Sequence, residues 1–268
     1  MNIFERISCR TPKATRLFFP LLIRDLRERY AGSVLGSLWS VLNPIFLILI
    51  YWIVFSKFLR IRIPAGRFEI PFLPYLLTGI LPWLLFSEGL IRGASAIVDR
   101  GSIIKKVFIP TALFPLSVVF ATFFNYLVGI VAFLIGLFVW KGNIDFMHIV
   151  VFFSILGLQL VFTSGLALTL ASLTVYVRDL TQIIGLVIQI LFYLTTILYP
   201  IAAVPEQYRS YILFNPLTLF IETYHDLLLY ERMPGLDNLC ILLVISAGSL
   251  WAGLMLFRRL QPGFSDVL

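Results

Sequence analysis

The stretch VFIPTALFPLSVVFATFFNYLVGIVAFLIGLFVW, residues 107–140, contains no Asp, Glu, Lys or Arg. A helix needs about 20 apolar residues to cross the hydrocarbon core of a bilayer, so this stretch is long enough to span one. Its apolar residues are continuous and do not alternate with polar ones, which favours a helix over a strand of a membrane barrel. The sequence therefore predicts a membrane-spanning helix here.

Five further charge-free stretches pass the same length test on either side of this one. Of the 268 residues, 60% are hydrophobic and 13% charged, and the mean hydropathy is +0.96. Soluble domains carry roughly 25% charged residues, so lipid is the solvent for most of this chain. We predict an all-α integral membrane protein with six transmembrane helices, at Ala31–Ser56, Ile70–Ser87, Val107–Trp140, Phe146–Val177, Leu180 up to but not including Glu206, and Asn238–Phe257.

A shorter apolar stretch follows the fifth predicted span. Ser210–Ile221 is too short to cross and contains Asn215-Pro216, which interrupts a helix. We interpret Pro200–Glu231 as two short re-entrant helices between spans five and six, because stretches of 10–14 apolar residues are typical of re-entry. The alternative is an ordinary external loop with an apolar patch.

The basic residues indicate the orientation. Of the 21 Lys and Arg, 14 lie on the side of the two termini if there are six spans. Because cytoplasmic loops carry the excess of basic residues, both termini are predicted to be cytoplasmic. The first external loop departs from this bias, since it holds Lys57, Arg60, Arg62 and Arg67. The net charge of +7 is explained by orientation, so nucleic acid is not an expected partner.

The N-terminal segment, residues 1–30, is predicted to contain an amphipathic helix over Lys13–Tyr30, and residues 31–268 form the membrane domain. The apolar residues of this predicted helix fall near one face at helical spacing, and its charged residues mostly face away. Such a helix lies in the headgroup layer of a membrane. It either simply anchors the chain or forms a gate or docking helix. The apolar set is Phe18, Phe19, Leu22, Leu26 and Tyr30, and the charged set is Arg24, Asp25, Arg27, Glu28 and Arg29.

The second cytoplasmic loop, Gly93–Val107, is also patterned. Ile97 and Ile104 lie two turns apart, and the charged residues lie largely elsewhere. A short surface helix there suits the docking of a soluble partner. A solvated loop that contributes to the positive-inside bias explains the pattern equally well.

Motifs for chemistry are missing from the sequence. It has no Gly-x-x-x-x-Gly-Lys-Ser/Thr phosphate loop, no His-Glu-x-x-His, no Cys-x-x-Cys and no Gly-x-Ser-x-Gly nucleophile elbow. Glu222 and Asp226, beside His225, share a helical face and would be the acid–base pair of an intramembrane enzyme. The polar side of a short external helix is the simpler interpretation. Aromatic residues gather in the first and fifth spans, where they could stack on sugar rings.

The stretch RYAGSVLGSLWSVLNP, residues 29–44, is similar to the motif that enters the first span in ABC-2-type permeases of polysaccharide exporters. Tyr176–Leu180, followed by a span that ends Ile197-Leu-Tyr-Pro200, is a second resemblance. Tyr208–Pro216, which ends in Asn-Pro ahead of a short helix, is a third. With the six spans, the resemblance covers nearly the whole chain.

The resemblance implies a permease subunit of an ATP-driven exporter in the inner membrane of a bacterium. It would be a homodimer that works with two copies of a nucleotide-binding ATPase. The chain itself would be no enzyme and would hold no cofactor, since ATP and Mg²⁺ belong to the partner. The expected cargo is a lipid-linked polysaccharide such as O-antigen, as in lipopolysaccharide biosynthesis. The alternatives are a permease of the same fold for a drug or small lipid, and an intramembrane enzyme acting on lipid-linked sugars.

The resemblance also assigns roles to residues. A coupling helix over about Ala94–Val107 would contact the ATPase, and the N-terminal helix would form the gate where a lipid pyrophosphate enters. Ala31 stands where relatives often carry a basic residue, so Arg27 and Arg29 would substitute for it. The expected ATPase contacts are Ile97, Asp99, Arg100, Ile103, Lys105 and Lys106. The expected gate residues are Arg24, Arg27, Arg29 and Tyr30. The expected channel aromatics are Phe46, Tyr51, Phe192, Tyr193 and Tyr199.

Overall fold

The computed structural model describes residues 11–28, 32, 36–58, 62–65, 68–104 and 110–268. The α-helices are α1 (Thr11–Glu28), α2 (Trp39–Tyr51), α3 (Phe72–Ser95), α4 (Gly101–Ile104), α5 (Leu113–Lys141), α6 (Phe146–Thr174), α7 (Leu180–Leu194), α8 (Glu206–Leu213), α9 (Pro216–Leu228), α10 (Leu236–Leu260) and α11 (Phe264–Val267). The 3₁₀ turns are Gly36–Leu38, Val98–Arg100, Ile201–Ala203 and Gln261–Gly263. A π-helix, Trp52–Phe58, continues α2, and two strands, β1 (Arg62–Ala65) and β2 (Phe68–Pro71), form an antiparallel hairpin.

Within the described residues, four helices are long and apolar enough to cross a membrane. They are Phe72–Ser95, Leu113–Lys141, Phe146–Thr174 and Leu236–Gly263, and they match the second, third, fourth and sixth predicted spans. The helical, membrane-type fold is therefore confirmed. The first and fifth predicted spans hold shorter α-helices, because α2 has 13 residues and α7 has 15.

The first predicted span departs most from a straight helix. After Tyr51 the backbone widens into the π-helix, and the chain then turns through the hairpin, which no pattern in the sequence had indicated. Ile63 pairs with Ile70 across the two strands, and both side chains are buried. The second span was predicted to begin at Ile70, but this residue pairs in β2, and helix α3 begins at Phe72. Because Ile70 and Pro71 pair with β1 in the hairpin, α3 starts only at Phe72.

Helix α3 lies at the centre of the molecule. It packs against α5, α6 and α9, and nearly every side chain from Phe72 to Leu90 is buried. Gly93 makes one of these contacts possible, since a Cβ there would lie 2.9 Å from the Cβ of Ala167 in α6. Helix α10 packs mainly on α6 and exposes most of its apolar surface.

Helices α6 and α10 cross at backbone contact. A Cβ on Gly253 would lie 2.2 Å from the carbonyl oxygen of Gly165, and Gly165 faces the backbone of Ser249 equally closely. The hydroxyl of Ser249 donates to the Phe162 carbonyl at 3.0 Å. Small residues of this kind let helices approach in lipid, where the hydrophobic effect does not drive their association.

The turn between α5 and α6 is defined by its end residues. Gly142 adopts φ +78°, a left-handed conformation that favours glycine, and its N–H donates to the Phe138 carbonyl at 2.8 Å. Asp145 then caps α6, because its carboxylate accepts from the Met147 N–H at 3.3 Å. Two antiparallel spans are therefore joined by a tight connection.

The segment after α7 contains the two short helices that the sequence predicted, α8 and α9. Helix α9 is mostly buried against α3 and α6, and α8 is largely exposed. Asn215 caps α9, since its side-chain oxygen accepts from the Leu217 N–H at 3.0 Å and its amide donates to Thr195 Oγ1 at 3.0 Å. The external-loop alternative does not account for this burial of α9.

Candidate functional site

At one end of the molecule, helix α1 packs along α5. Leu21 lies in an apolar cluster with Ala96, Phe114 and Val118, and Phe18 meets Phe120 edge-on with ring centroids 5.3 Å apart. The predicted apolar face of α1 is divided in the structure, because Phe18 and the buried Leu22 pack on the protein while Phe19 is 59% exposed. Apolar side chains therefore emerge on two sides of α1, one toward the protein and one away from it.

Asp25 departs from the sequence interpretation, which placed it on the polar face of α1. Its side chain is 1% exposed; it forms an ion pair with Arg100 and accepts a hydrogen bond from Ser117 Oγ at 2.6 Å. The reason is spacing, since Asp25 lies three and four residues after the buried Leu22 and Leu21 and shares their face. That spacing was the signal in the sequence that could have revealed it.

The electrostatics of this ion pair are those of a buried carboxylate. Burial raises the pKa of the Asp25 carboxyl above its usual range, and the hydrogen bond from Ser117 and the charge of Arg100 oppose that shift. The Arg100 guanidinium also lies over the Phe114 ring, 5.7 Å from its centroid, and 3.7 Å from the Glu28 carboxylate. Removing either member of such a pair leaves an uncompensated buried charge.

The ion pair joins α1 to the loop between α3 and α5, called here the α3–α5 loop (residues 96–112). Two residues of this loop that were predicted to contact the ATPase pack within the protein instead. Ile97 is fully buried with Phe257 and Phe264, and Arg100 forms an ion pair with Asp25. Asp99 is exposed and accepts from Ser95 Oγ at 2.7 Å. The Ile103 side chain, Lys105 and Lys106 lie outside the described part of the chain.

A polar cavity of about 250 Å³ separates α1 from the α3–α5 loop. Charges of both signs line it, and Glu28 pairs there with Arg24 and, at 3.7 Å, with Arg100. A second concavity, of about 500 Å³, runs along α1 and contains the predicted gate residues Arg24 and Arg27. Arg29 and Tyr30 lie outside the described residues.

The predicted channel aromatics lie on both sides of α3. Phe46 is exposed on α2, and Tyr51 continues to Phe55, which packs on Phe72 with ring centroids 4.4 Å apart. On α7, Phe192 packs on Trp83 at 5.7 Å, and Tyr193 is 60% exposed. Among the described residues, no ring contact joins the α2 set to the α7 set. Both sets are attached to α3.

Tyr75, which the sequence did not single out, connects the two sides. Its ring lies 6.5 Å from that of Phe72, and its buried hydroxyl donates to the carbonyl oxygens of Thr196 at 3.1 Å and Tyr199 at 2.9 Å. The Tyr199 hydroxyl in turn donates to the Tyr193 carbonyl at 2.8 Å. Tyr75 thus satisfies the non-helical backbone that follows α7.

Further polar contacts hold α9 to the core. The fully buried His225 ring stacks on Tyr75 with centroids 3.9 Å apart, and its Nε2 lies 3.0 Å from the Tyr75 carbonyl oxygen. Gln159 donates to the Pro82 carbonyl at 2.9 Å and accepts from the Tyr224 hydroxyl at 2.6 Å. Such buried polar groups specify one arrangement of the helices.

The contact between His225 and Tyr75 also bears on the alternative in which Glu222 and Asp226 of α9 are the acid–base pair of an enzyme. Glu222 and Asp226 are partly buried, but His225 is engaged with Tyr75 and does not complete an acid–base set. No group of three or more His, Cys, Asp and Glu that could hold a metal occurs in the described ranges. The geometry of α9 is that of a packing and positioning element.

Comparison with known proteins places this geometry in a family. Residues 16–229 match the ABC-2 type transporter family. The chain is 33% identical over 252 residues to the O-antigen export system permease protein RfbA of Myxococcus xanthus, covering 93% of this chain and 94% of the relative. It is 31% identical over 260 residues to RfbA of Klebsiella pneumoniae, covering 93% and 95%. The polysialic acid transport protein KpsM of Escherichia coli is 24% identical over 245 residues, covering 89% and 91%.

The family match covers most of the chain, including α1, the α3–α5 loop and α9, and the relatives align over nearly their full lengths. Among its described residues, the structure has four helices long and apolar enough to cross a membrane, and the matched relatives are named as export permeases. The chain therefore belongs to the ABC-2 type transporter family.

Proposed function

We propose that this protein is the permease subunit of an ATP-driven exporter that moves a lipid-linked polysaccharide, of the O-antigen type, across the inner membrane. The observation that carries the proposal is the near full-length similarity to permeases named for O-antigen export, at 33% and 31% identity. The more distant similarity to a polysialic acid transport protein supports a polysaccharide cargo over a drug or a small lipid.

The proposal includes six crossings with both termini in the cytoplasm. Helix α2 with its π-helical continuation is the first crossing, and α7 with the segment Thr195–Pro200 is the fifth. At 1.5 Å per residue, α7 extends only about 22 Å, short of the roughly 30 Å hydrocarbon core. The hydrogen bonds from Tyr75 support this assignment, because non-helical backbone at membrane depth must be sheltered by protein. Helices α8 and α9 are the re-entrant pair on the external side.

Helix α1 acts as an interface helix at the cytoplasmic gate in this proposal. The exposed Phe19 and Ile23 contact lipid, and Arg24 and Arg27 face the concavity where the pyrophosphate of the lipid carrier enters. Arginine suits this role because its planar guanidinium binds phosphate oxygens in pairs. Arg29 and Tyr30 complete the gate by their positions in the sequence.

The energy comes from ATP and Mg²⁺ on two separate ATPase subunits bound to a permease homodimer. The α3–α5 loop receives their motion: Asp99, Ile103, Lys105 and Lys106 contact the ATPase, while Ile97 and Arg100 hold the loop from within. The pair Arg100–Asp25 passes the motion to α1.

A stripe on α7 supports the homodimer. Its exposed apolar residues recur at three- and four-residue spacing, the pattern of a helix face that packs against a neighbour. They are Ile183, Leu186, Val187 and Ile190. In the dimer this face lies at the seam, so the α7 aromatics and those of α2 line the channel between the two copies.

The proposal is tested in the native host by deleting the gene for this chain. We expect the surface polysaccharide to be lost and the lipid-linked glycan to accumulate on the cytoplasmic side, and a plasmid copy to restore export. Separate assay of glycan synthesis in membrane extracts controls for a lost enzyme. Normal surface glycan in the deletion strain, or loss of its synthesis, would overturn the proposal.

A further inference from the structure

An apolar groove opens on the side of the molecule between α2, α3 and α5. It encloses about 490 Å³, within the range of 300–1,000 Å³ that small-molecule pockets occupy. Its floor is open at Gly136, where a Cβ would meet nothing within 4 Å. Ala132 lies one turn before Gly136, so two small residues on one face of α5 form the depression.

Two tryptophans line the groove. Trp52 is the first residue of the π-helix that follows α2, and Trp140 is the second-last residue of α5. Tryptophan is enriched where hydrocarbon meets headgroups, so the groove lies at that depth. π-helical turns are themselves frequent at functional sites, and this one widens the backbone beside the groove.

A cation lies directly above this apolar surface. The Lys57 ammonium is exposed and lies 5.1 Å from the centroid of the Trp52 ring. In sequence, the following loop adds Arg60, Arg62 and Arg67 against a single acid, Glu69. These charges oppose the positive-inside bias of the other loops, so orientation does not explain them.

We propose that this groove binds one hydrocarbon chain of an anionic phospholipid, with the lipid phosphate beside Lys57. An apolar cleft below a cation matches an amphiphile that carries its negative charge at one end. A second copy of the chain is the other conceivable occupant, but the charge at the rim favours the lipid, because two copies of the basic loop would repel each other. The outer leaflet, and the departure of the basic loop from the positive-inside bias, both rest on the orientation in the proposed function; the groove and the contact of Lys57 with Trp52 do not.

The test is quenching of tryptophan fluorescence by brominated lipid in full-length protein reconstituted into phosphatidylcholine vesicles. One variant keeps Trp52, by Trp39→Phe, Trp140→Phe and Trp251→Phe. The reference variant keeps Trp251 instead, an exposed residue on α10 that reports on bulk lipid. Trp83 is retained in both, since it is buried in the core and out of reach of bromine.

At low mole fraction, brominated phosphatidylglycerol is expected to quench Trp52 about fivefold more effectively than brominated phosphatidylcholine, from the attraction of one lysine for anionic lipid. Trp251 is expected to respond equally to both lipids. Lys57→Gln should remove the preference of Trp52 and leave quenching by both lipids. Gly136→Leu should fill the groove and reduce quenching, whereas Gly157→Leu, which faces open space on α6, should not.

Equal quenching of Trp52 and Trp251 by both lipids would overturn the proposal, as would a lipid preference that survives Lys57→Gln. Protection of Trp52 from both lipids would show that a second copy fills the groove, which also overturns it. The measurement needs neither ATPase nor cargo, so its failure is distinct from failure of the export function.

Discussion

At the scale of single residues, Asp25 connects three elements. It holds α1 to the α3–α5 loop through Arg100 and to α5 through Ser117. Because the pair is buried, Asp25→Ala leaves Arg100 with only the half-exposed Glu28 carboxylate, 3.7 Å away. We expect a loss of about 3 kcal/mol in the free energy of unfolding, measured by thermal denaturation of the purified protein.

Asp179→Ala is the matched control for that substitution, since Asp179 is exposed and makes no side-chain cap at the start of α7. It should change the melting temperature little. The double variant Asp25→Ala with Arg100→Met should be more stable than Asp25→Ala alone, because no charge is then left unpaired. Equal melting temperatures for Asp25→Ala and Asp179→Ala would contradict the buried pair.

The side-chain contacts of single residues differ in whether the sequence can predict them. Glu88 and Arg92 lie four residues apart on α3, a spacing that places them on one face, and the two side chains are paired. Tyr75 and Gln159 could not be found that way, because their hydrogen-bond partners lie more than 60 positions away along the chain. Spacing reveals contacts within a helix, and contacts between helices depend on how the helices pack.

At the scale of elements, the crossing of α6 and α10 depends on two glycines. Gly253→Val would place side-chain atoms where Gly165 has its backbone, and backbone cannot yield as a flexible side chain does. We expect Gly253→Val to destabilise the protein by about 3 kcal/mol, the upper end of the usual cost of overpacking. The measurement is thermal denaturation together with the yield of folded protein.

Gly248→Val provides a control on the same helix, since a Cβ at Gly248 meets nothing within 4 Å. Its helix propensity and its added volume are identical to those of the test variant. A similar loss from both substitutions would mean that α6 and α10 do not meet at backbone distance.

The start of α9 gives a second prediction for an element. Asn215 both caps the helix and donates to Thr195, and the two contacts can be separated. Asn215→Asp keeps the oxygen that accepts from Leu217 and loses the donor, whereas Asn215→Ala loses both. Asn215→Ala should cost about 1 kcal/mol more than Asn215→Asp, as the loss of a cap usually does, again by thermal denaturation. Equal losses from the two would show that the cap contributes nothing.

Elements also differ in how well the sequence predicted them. Four spans emerged from charge-free length alone, because lipid imposes that length on any crossing helix. Charge-free length did not reveal the hairpin of β1 and β2 or the early end of α7. The second apolar stretch begins at Ile70, inside β2, and the fifth continues beyond Leu194, where α7 ends. Hydropathy indicates whether a segment lies in lipid or in water. The backbone conformation of that segment also depends on hydrogen-bond partners in other helices, such as Tyr75.

At the scale of the whole molecule, the proposed contact with the ATPase can be tested without unfolding the chain. The substitutions Asp99→Asn, Lys105→Gln and Lys106→Gln together remove charge from the α3–α5 loop and leave the Arg100–Asp25 pair intact. We expect export to fall about tenfold, equivalent to roughly 1.4 kcal/mol of lost coupling. Basal ATPase activity should remain, so ATP is hydrolysed without transport. Surface glycan and ATP hydrolysis are measured in the same membranes.

Arg258→Gln with Arg259→Gln is the control, because it removes neighbouring cationic charge at the end of α10 and leaves the loop unchanged. Unchanged export in the triple variant would exclude the loop as the docking site. The sequence pattern and the family resemblance marked this loop as a candidate docking site, and the structure shows which of its described side chains face inward: Ile97 and Arg100 support the loop, and Asp99 is exposed.

The early end of α7 at Leu194 has a consequence for biogenesis. The carbonyl groups of Thr196 and Tyr199 acquire their partner only when Tyr75 of α3 is beside them. In the proposed topology this segment lies in lipid, which offers backbone oxygens no substitute for water, so it needs α3 beside it during membrane insertion. We therefore expect α3 to be inserted first and to form part of the surface on which the later helices assemble.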